Sequence, residues 1–173
     1  MNRLLTTPKI GDVVEFKQTH TKKIFKTKSG GDLSVLFALP FELVGKFFRY
    51  DKQELALVQK DIRGFRIYRV SDLSVGQIGG TEFHRIRQEI VLGLVGRIRW
   101  ECEDLFGRKK EFVLNSETGI YMPPRILHTY YVEEADSGLV VVCNTLFPLP
   151  ANLATNDTFS KEEFRALQKF NQP

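Results

Sequence analysis

Short strand-like runs, each closed by a turn, follow one another through most of this chain, and that succession limits what it can fold into. Leu33 to Leu39 is apolar and ends at Pro40, while Phe65 to Val70 and Arg97 to Glu103 alternate. Side chains alternate across a strand, so Ile98, Trp100 and Cys102 share one face. If that face points inward, Trp100 is core, and Arg97 and Arg99 face solvent or a subunit partner. Asp104-Leu-Phe-Gly107 supplies a turn from which Lys110 to Leu114 returns as a hairpin. Asn115 to Gly119 turns again, and His128 to Glu133 and Gly138 to Cys143 complete the series. Many short strands at regular spacing predict an all-β barrel or sandwich.

Helix signals are concentrated in the tail. Ser160-Lys-Glu-Glu163 is a capping box, in which Ser160 accepts from the third helical amide and Glu163 reaches back. Phe164, Leu167 and Phe170 follow as an apolar stripe predicted to dock on the barrel. Asp51 to Lys60 reads as a short helix or a loop.

A chain of 173 residues, 42% hydrophobic and 27% charged, suits one globular domain with a real core. No apolar run has membrane-spanning length, and the first residues lack the apolar stretch of a signal peptide, so the expectation is a cytoplasmic protein with no membrane partner. The net charge of +4 is mild. Its densest segment, Lys22, Lys23, Lys26 and Lys28, has neither aromatic interleaving nor a recognition helix, so no nucleic acid is expected. That segment reads as a solvated loop or as weak steering of anionic ligands. Cys102 and Cys143 sit in apolar runs outside any C-x-x-C pair, which predicts buried, reduced thiols. His20 stands in a polar loop and carries no predicted role.

Two segments hold most of the chemistry. In Gly79-Gly-Thr-Glu-Phe-His-Arg-Ile-Arg-Gln-Glu89, Glu82 and His84 lie two apart on a strand and face the same side. In Gly119-Ile-Tyr-Met-Pro-Pro-Arg-Ile-Leu-His128-Thr-Tyr-Tyr131, His128, Tyr130 and Val132 share a face. Glu82-x-His84-x4-Glu89-x6-Gly96 resembles the first motif of the cupin superfamily with its leading His replaced by Glu. Pro123-x-Arg125-x-x-His128 resembles the second motif with Gly replaced by Arg. The resemblance implies a cupin (RmlC-like jelly-roll) β-barrel, its core running from about Gly79 to Asn144 with His84 and His128 pointing into the cavity.

Within that superfamily the chain resembles the WxcM-like sugar 3,4-ketoisomerases. Gly119-Ile-Tyr-Met-Pro-Pro-Arg-Ile-Leu-His128 is similar to their G-L-Y-x-P-P-x-x-W-H segment. Gly31-Asp-Leu-Ser34, Leu39-Pro-Phe41 and the tail from Phe159 to Phe170 are also similar to theirs. The family's R-G-x-H-A-H-K reads here Gly79-Gly-Thr-Glu-Phe-His-Arg85, so Glu82 stands for the first His and Arg85 for the Lys. A family tyrosine falls on Phe47 or Phe48 in one register and on Tyr68 in another.

The resemblance implies a single domain over 1–173, with N-terminal strands in 1–60 exchanged in a homodimer, a barrel core in 61–150, and a helix in 151–173. It also implies a nucleotide-sugar ligand, deoxysugar and surface-polysaccharide biosynthesis, and no cofactor. A 3,4-keto shift needs a base beside the carbonyl and an acid at the neighbouring carbon, and histidine titrates near the working pH. The catalytic assignment is therefore His84 as base with Glu82, Tyr68 and His128. Substrate contacts are assigned to Arg85, Arg87, Glu89, Tyr121, Arg125 and Tyr130. Two alternatives stay open. One is a non-catalytic sugar-binding cupin; the other is an enzyme whose divalent metal is held by Glu82, His84, Glu89 and His128.

Overall fold

The computed structural model describes residues 7–18, 24–49, 63–146 and 157–171, with positions 52 and 56 in isolation. His20, Lys22, Lys23 and most of Asp51 to Lys60 lie outside the described residues. The chain forms β1 (Val14–Lys17), β2 (Ile24–Lys26), β3 (Asp32–Ser34), α1 (Phe41–Phe47), β4 (Arg63–Leu73), β5 (Ile78–Phe83) and β6 (Glu89–Val95). It continues through β7 (Ile98–Glu103), β8 (Lys109–Leu114), β9 (Thr118–Met122), β10 (Leu127–Val132), β11 (Ser137–Thr145), β12 (Phe159–Ser160) and α2 (Lys161–Asn171).

Two antiparallel five-stranded sheets, ordered β1-β9-β6-β11-β4 and β12-β5-β10-β7-β8, face one another as a jelly-roll sandwich. The predicted hairpin pairs in register from Ile98↔Leu114 to Glu103↔Lys109. Between the sheets lies the main core, which includes Val91, Ile98, Trp100, Cys102, Ile120, Met122 and Val141. Both cysteines are buried free thiols. The parity reading of β7 holds: Ile98 and Trp100 face in, while Arg99 and Arg97 face out and pair with Glu101, Glu111 and Glu133.

Each sheet is also covered outside at one place. Leu43 and Phe47 of α1, four residues apart and so on one helix face, pack with Phe16, Ile90, Leu92 and Tyr121 on the outer face of the first sheet. The apolar run from Leu33 to Leu39 is not a strand; β3 ends at Ser34, and Pro40 leads directly into α1. A seven-residue helix containing Gly45 is too short to show a helical period. On the second sheet, Phe164 of α2 packs with Phe83, Leu105 and Leu127. The capping box is formed: the Ser160 amide donates to Glu163 at 2.7 Å, and the Glu163 amide donates to the Ser160 hydroxyl at 3.2 Å.

Phe170 does not dock as expected; it is 87% exposed. At 3.6 residues per turn it stands about 120° round the helix from Phe164, whereas Gln168 stands about 40° away. Gln168 is the residue buried instead, donating to the Glu103 carboxylate and the Asp104 carbonyl. Arg165 forms a two-pronged ion pair with the same Glu103.

Candidate functional site

β5 and β10 pair side by side, and their register breaks where His128↔Glu82 gives way to Thr129↔Gly80. Thr81 is the extra residue of this bulge, with φ 62°, next to Gly80 at φ 72°. The bulge resets the alternation, so Glu82 faces into the sandwich opposite His128. Gly79 has a separate use. A Cβ there would meet the Tyr130 ring at 2.1 Å, so Tyr130 lies against bare backbone. The family's arginine at this position is incompatible with that placement.

His84, just past β5, is buried and fixed from two sides. Its Nδ1 lies 2.5 Å from the Asp157 carbonyl oxygen. A carbonyl only accepts, so Nδ1 carries the proton and Nε2 is the basic nitrogen. The Asp157 carboxylate also holds the loop after His84, accepting from the amides of Arg85 (2.9 Å), Ile86 (2.9 Å) and Arg87 (2.7 Å). The Arg125 amide donates to the His84 carbonyl at 2.6 Å, tying the turn before β10 to the same point.

Around His84 Nε2 stand Glu89 Oε1 at 3.4 Å, Arg87 Nη1 at 3.4 Å and Glu82 Oε1 at 3.8 Å. Glu89 also lies 3.8 Å from His128 Nε2 and 3.7 Å from Arg87, and accepts from the Cys143 thiol at 3.3 Å. Burial alone would raise the Glu89 carboxyl. His84, by charge and hydrogen bond, then His128 and Arg87, outweigh that and hold it well below the carboxylate range. Glu89 is therefore an ionised carboxylate inside the protein, balanced by Arg87, which itself donates to Thr145 Oγ1 at 3.1 Å.

His128 is held by stacking and by its Nδ1, which lies 3.3 Å from the Ile126 carbonyl oxygen. Its ring lies parallel to Trp100 (5.5 Å, 13°), Trp100 stacks in turn on Tyr130 (5.5 Å), and the two imidazoles are 5.3 Å apart. Burial lowers the His128 pKa against the pull of Glu89, so this imidazole is neutral near pH 7. Tyr68 is half-buried in the core with the Arg66 guanidinium 5.4 Å over its ring. Burial first, then Glu89 and Cys143, push its phenol far up, and burial and Glu82 raise Tyr130, so both remain hydroxyl donors. Glu82 is 35% exposed and forms the wet side of the cluster.

Of the residues singled out in sequence, Glu82, His84, Arg87, Glu89, His128 and Tyr130 meet here, with Tyr68 close behind Glu89. Phe47 and Phe48 lie outside: Phe47 packs under the first sheet, and Phe48 is exposed. Tyr121 is also elsewhere. Its neighbours Ile120 and Met122 face in, so Tyr121 faces out and donates to Gln88 at 2.6 Å. Arg85 and Arg125 line a separate cavity on the outer side of the second sheet. Sequence reasoning missed Asp157 and the stacking role of Trp100. Glu82, His84 and His128 present donor atoms all within 4.8 Å of one another. Two imidazole nitrogens and a carboxylate fit a divalent ion, although the Arg87 cation beside His84 Nε2 opposes one.

No curated protein matches the chain. Solved structures share its fold. QdtA, a sugar 3,4-ketoisomerase from Thermoanaerobacterium thermosaccharolyticum solved with TDP, matches with TM-score 0.58 and 14% identity over 95% of this chain and 100% of that one. WlaRA, a TDP-fucose-3,4-ketoisomerase from Campylobacter jejuni, matches with TM-score 0.57 and 19% identity over 91% and 96%. The RmlC epimerase of Mycobacterium tuberculosis matches with TM-score 0.54 and 16% identity over 82% and 68%. The fold is thus that of the RmlC-like cupins, with the cluster between its two sheets. The family described as WxcM-like, C-terminal (FdtA) matches residues 45–163, well over half the chain, and the chain belongs to that family.

Proposed function

We propose that this protein is a nucleotide-sugar isomerase that moves a carbonyl between C4 and C3 of a dTDP-4-keto-6-deoxyhexose, with His84 as the base, in deoxysugar and surface-polysaccharide biosynthesis. One observation carries the reading: the Asp157 carbonyl accepts from His84 Nδ1 and leaves Nε2 as a base 3.8 Å from Glu82. His84 Nε2 takes the proton from C3, the electron pair forms a C3=C4 double bond, and the C4 oxygen gains a proton relayed by Glu82, giving the neutral enediol. The C3 hydroxyl then gives up its proton, and C4 receives one, producing the 3-keto sugar. Glu82, partly open to solvent, relays the proton; Tyr68 and Tyr130, held protonated, donate to the C3 and C4 oxygens as negative charge develops there. The TDP and TDP-sugar named for the related structures support this ligand class.

Turnover of dTDP-4-keto-6-deoxyglucose, followed by proton NMR in deuterated water, tests the reading. The expected result is deuterium incorporation and a 3-keto product in the wild type, and loss of at least about a thousandfold in His84→Asn. Tight dTDP binding with no exchange would sink the isomerase and leave a sugar-binding cupin.

The converging donors of Glu82, His84 and His128 favour a second reading, a metal-dependent enzyme. Near-stoichiometric divalent metal after purification without chelator would establish it; no metal, and no gain in melting temperature on adding divalent ions, would exclude it. We further propose a homodimer. The hairpin β2–β3 exposes Ile24, Phe25 and Leu33, and the edge strand β4 exposes Phe65 and Ile67, an apolar surface suited to a second copy. Light scattering reads the mass directly.

A further inference from the structure

Side chains alternate along a strand, so the neighbour of a site residue backs it from the other face of the sheet. Phe83 lies between Glu82 and His84, and Leu127 precedes His128. Both are buried under α2, where they pack with Phe164, whose ring is 5.2 Å from that of Phe83. Leu127 pairs across the sheet with Glu103. The helix therefore docks directly behind the three residues whose donor atoms converge between the sheets.

This docking is polar as well as apolar. Glu103 is buried and accepts both prongs of the Arg165 guanidinium, one of them at 2.8 Å, and Gln168 Nε2 at 2.9 Å. Gln168 Nε2 also donates to the Asp104 carbonyl at 3.0 Å. One buried aromatic ring lets a helix roll. A planar guanidinium on a carboxylate does not, because its two parallel bonds must be kept together. Just upstream, the same segment reaches the site. Phe159 and Ser160 pair as β12 with Phe83 and Glu82, and the Asp157 carbonyl accepts from His84 Nδ1 at 2.5 Å. Because β12 runs straight into α2, a roll of the helix is passed back to Asp157.

We propose that Glu103 is a positioning residue for His84, acting from the opposite face of the sheet. By holding Arg165 and Gln168 it fixes the roll of α2, and through β12 it fixes the carbonyl that sets the His84 tautomer. Glu103 touches no reacting atom. Its effect on turnover rests on the isomerase reading above, whereas its effect on the tautomer does not.

Imidazole ¹H–¹⁵N correlation spectra of the full chain read the tautomer of each histidine without substrate. In the wild type, His84 should show the Nδ1-protonated pattern. In Glu103→Ala that pattern should shift to a mixture of the two tautomers while His128 keeps its signals. The same variant should lower kcat on dTDP-4-keto-6-deoxyglucose about tenfold or more. Arg165→Ala, at a partly exposed position, breaks the same contact and tests it even if Glu103→Ala does not fold. Arg165→Lys keeps a cation on Glu103 and should restore most of the wild-type pattern. Phe170→Ala, on the exposed side of the same helix, should change neither readout. A merely structural Glu103 would lower the melting temperature and leave the tautomer of the folded chain as it was. That result overturns the proposal, as does an equal shift in Phe170→Ala. A shifted tautomer in variants of a chain that turns over no keto-sugar supports the positioning role and removes the isomerase reading instead.

Discussion

His84 and His128 stand 5.3 Å apart in one cavity, yet the segments that carry them are built on different physics. The first segment fixes its histidine through polar contacts. A bulge turns Glu82 inward, Asp157 clamps the loop after His84, and Glu89 and Arg87 form an ion pair beside it. The second is an ordinary strand whose histidine is sandwiched against Trp100 and kept neutral by burial. The short contact of His84 Nδ1 to the Asp157 carbonyl defines its tautomer and turns Nε2 toward Glu82 and Glu89. His128 has a longer Nδ1 contact of its own, 3.3 Å to the Ile126 carbonyl, and its ring is placed chiefly by stacking on Trp100. For the reaction proposed above, the difference favours His84 as the base and leaves His128 a scaffolding or donor role.

The comparison breaks most violently at Glu89. Removing the carboxylate leaves the Arg87 charge inside the protein without its balance, and breaking a buried pair in this way costs about 3–5 kcal/mol. Glu89→Leu should lose that much in a urea titration, with an unchanged slope. Adding Arg87→Met to Glu89→Leu should restore most of it, because a buried pair replaced by apolar residues is close to neutral. If the double variant is no more stable than the single one, the charge balance between these two residues is not what stabilises the first segment.

Asp157 separates the two histidines next. Asp157→Ala strips acceptors from three amides and should cost about 3 kcal/mol, since each buried donor left unmet costs about 1–3. In the proposed reaction it should lower kcat, because the loop after His84 loses its clamp although the Asp157 carbonyl that faces Nδ1 is kept. His128 should not feel it, so the NMR signals of the Trp100–His128 stack should stay in place. Movement of that stack instead would mean that the segments are not held independently.

Much of this contrast was out of reach of the sequence, for identifiable reasons. Period-two alternation places residues inside a regular strand on a face, and it assigned Trp100 and His128 correctly, while the bulge at Thr81 resets it before Glu82. Outside strands, parity says nothing: Arg85 follows β5 and Arg125 sits in a turn, and both point away from the cluster. For Tyr121 the parity signal was present, in apolar Ile120 and Met122 on either side, and it outweighs likeness to a family motif. Asp157 had no local signal, because it lies 73 residues from the histidine it orients. Phe170 failed on geometry, since three apolar residues spaced by three drift round a helix that repeats every 3.6.

Acid is a gentler probe of the same contrast. Folding lowers the pKa of His128, so below the ordinary imidazole value the unfolded chain takes a proton that the folded chain refuses, and stability falls. Glu89 acts in the same direction further down. Its lowered pKa adds stability above the unfolded carboxylate value, which is lost as pH falls toward the folded one. With chelator present, the melting temperature should fall as pH drops below about 6.5. His128→Gln should flatten the upper part of that fall and leave the part below pH 5 intact. A wild-type curve that is level between pH 7 and 5 would contradict a neutral, stacked His128.

The smallest effect concerns the turn that leads into the second segment. Arg125 occupies the position where the motif carries glycine and keeps the left-handed φ of 62° that glycine favours. Substitution therefore changed the side chain without relaxing the backbone, which is still pinned by the Arg125 amide on the His84 carbonyl. Ordinarily Ala is more stabilising than Gly, because Gly loses more freedom on folding, by about 0.5–1 kcal/mol. Here the Cβ itself carries a penalty of about 1–2 kcal/mol, which should reverse the order. Arg125→Gly should thus be more stable than Arg125→Ala by up to about 1 kcal/mol, a difference of a few degrees in melting temperature. If alanine were the better residue, the turn would be free to relax, and the tie between the two histidine segments would be weaker than the hydrogen bond implies.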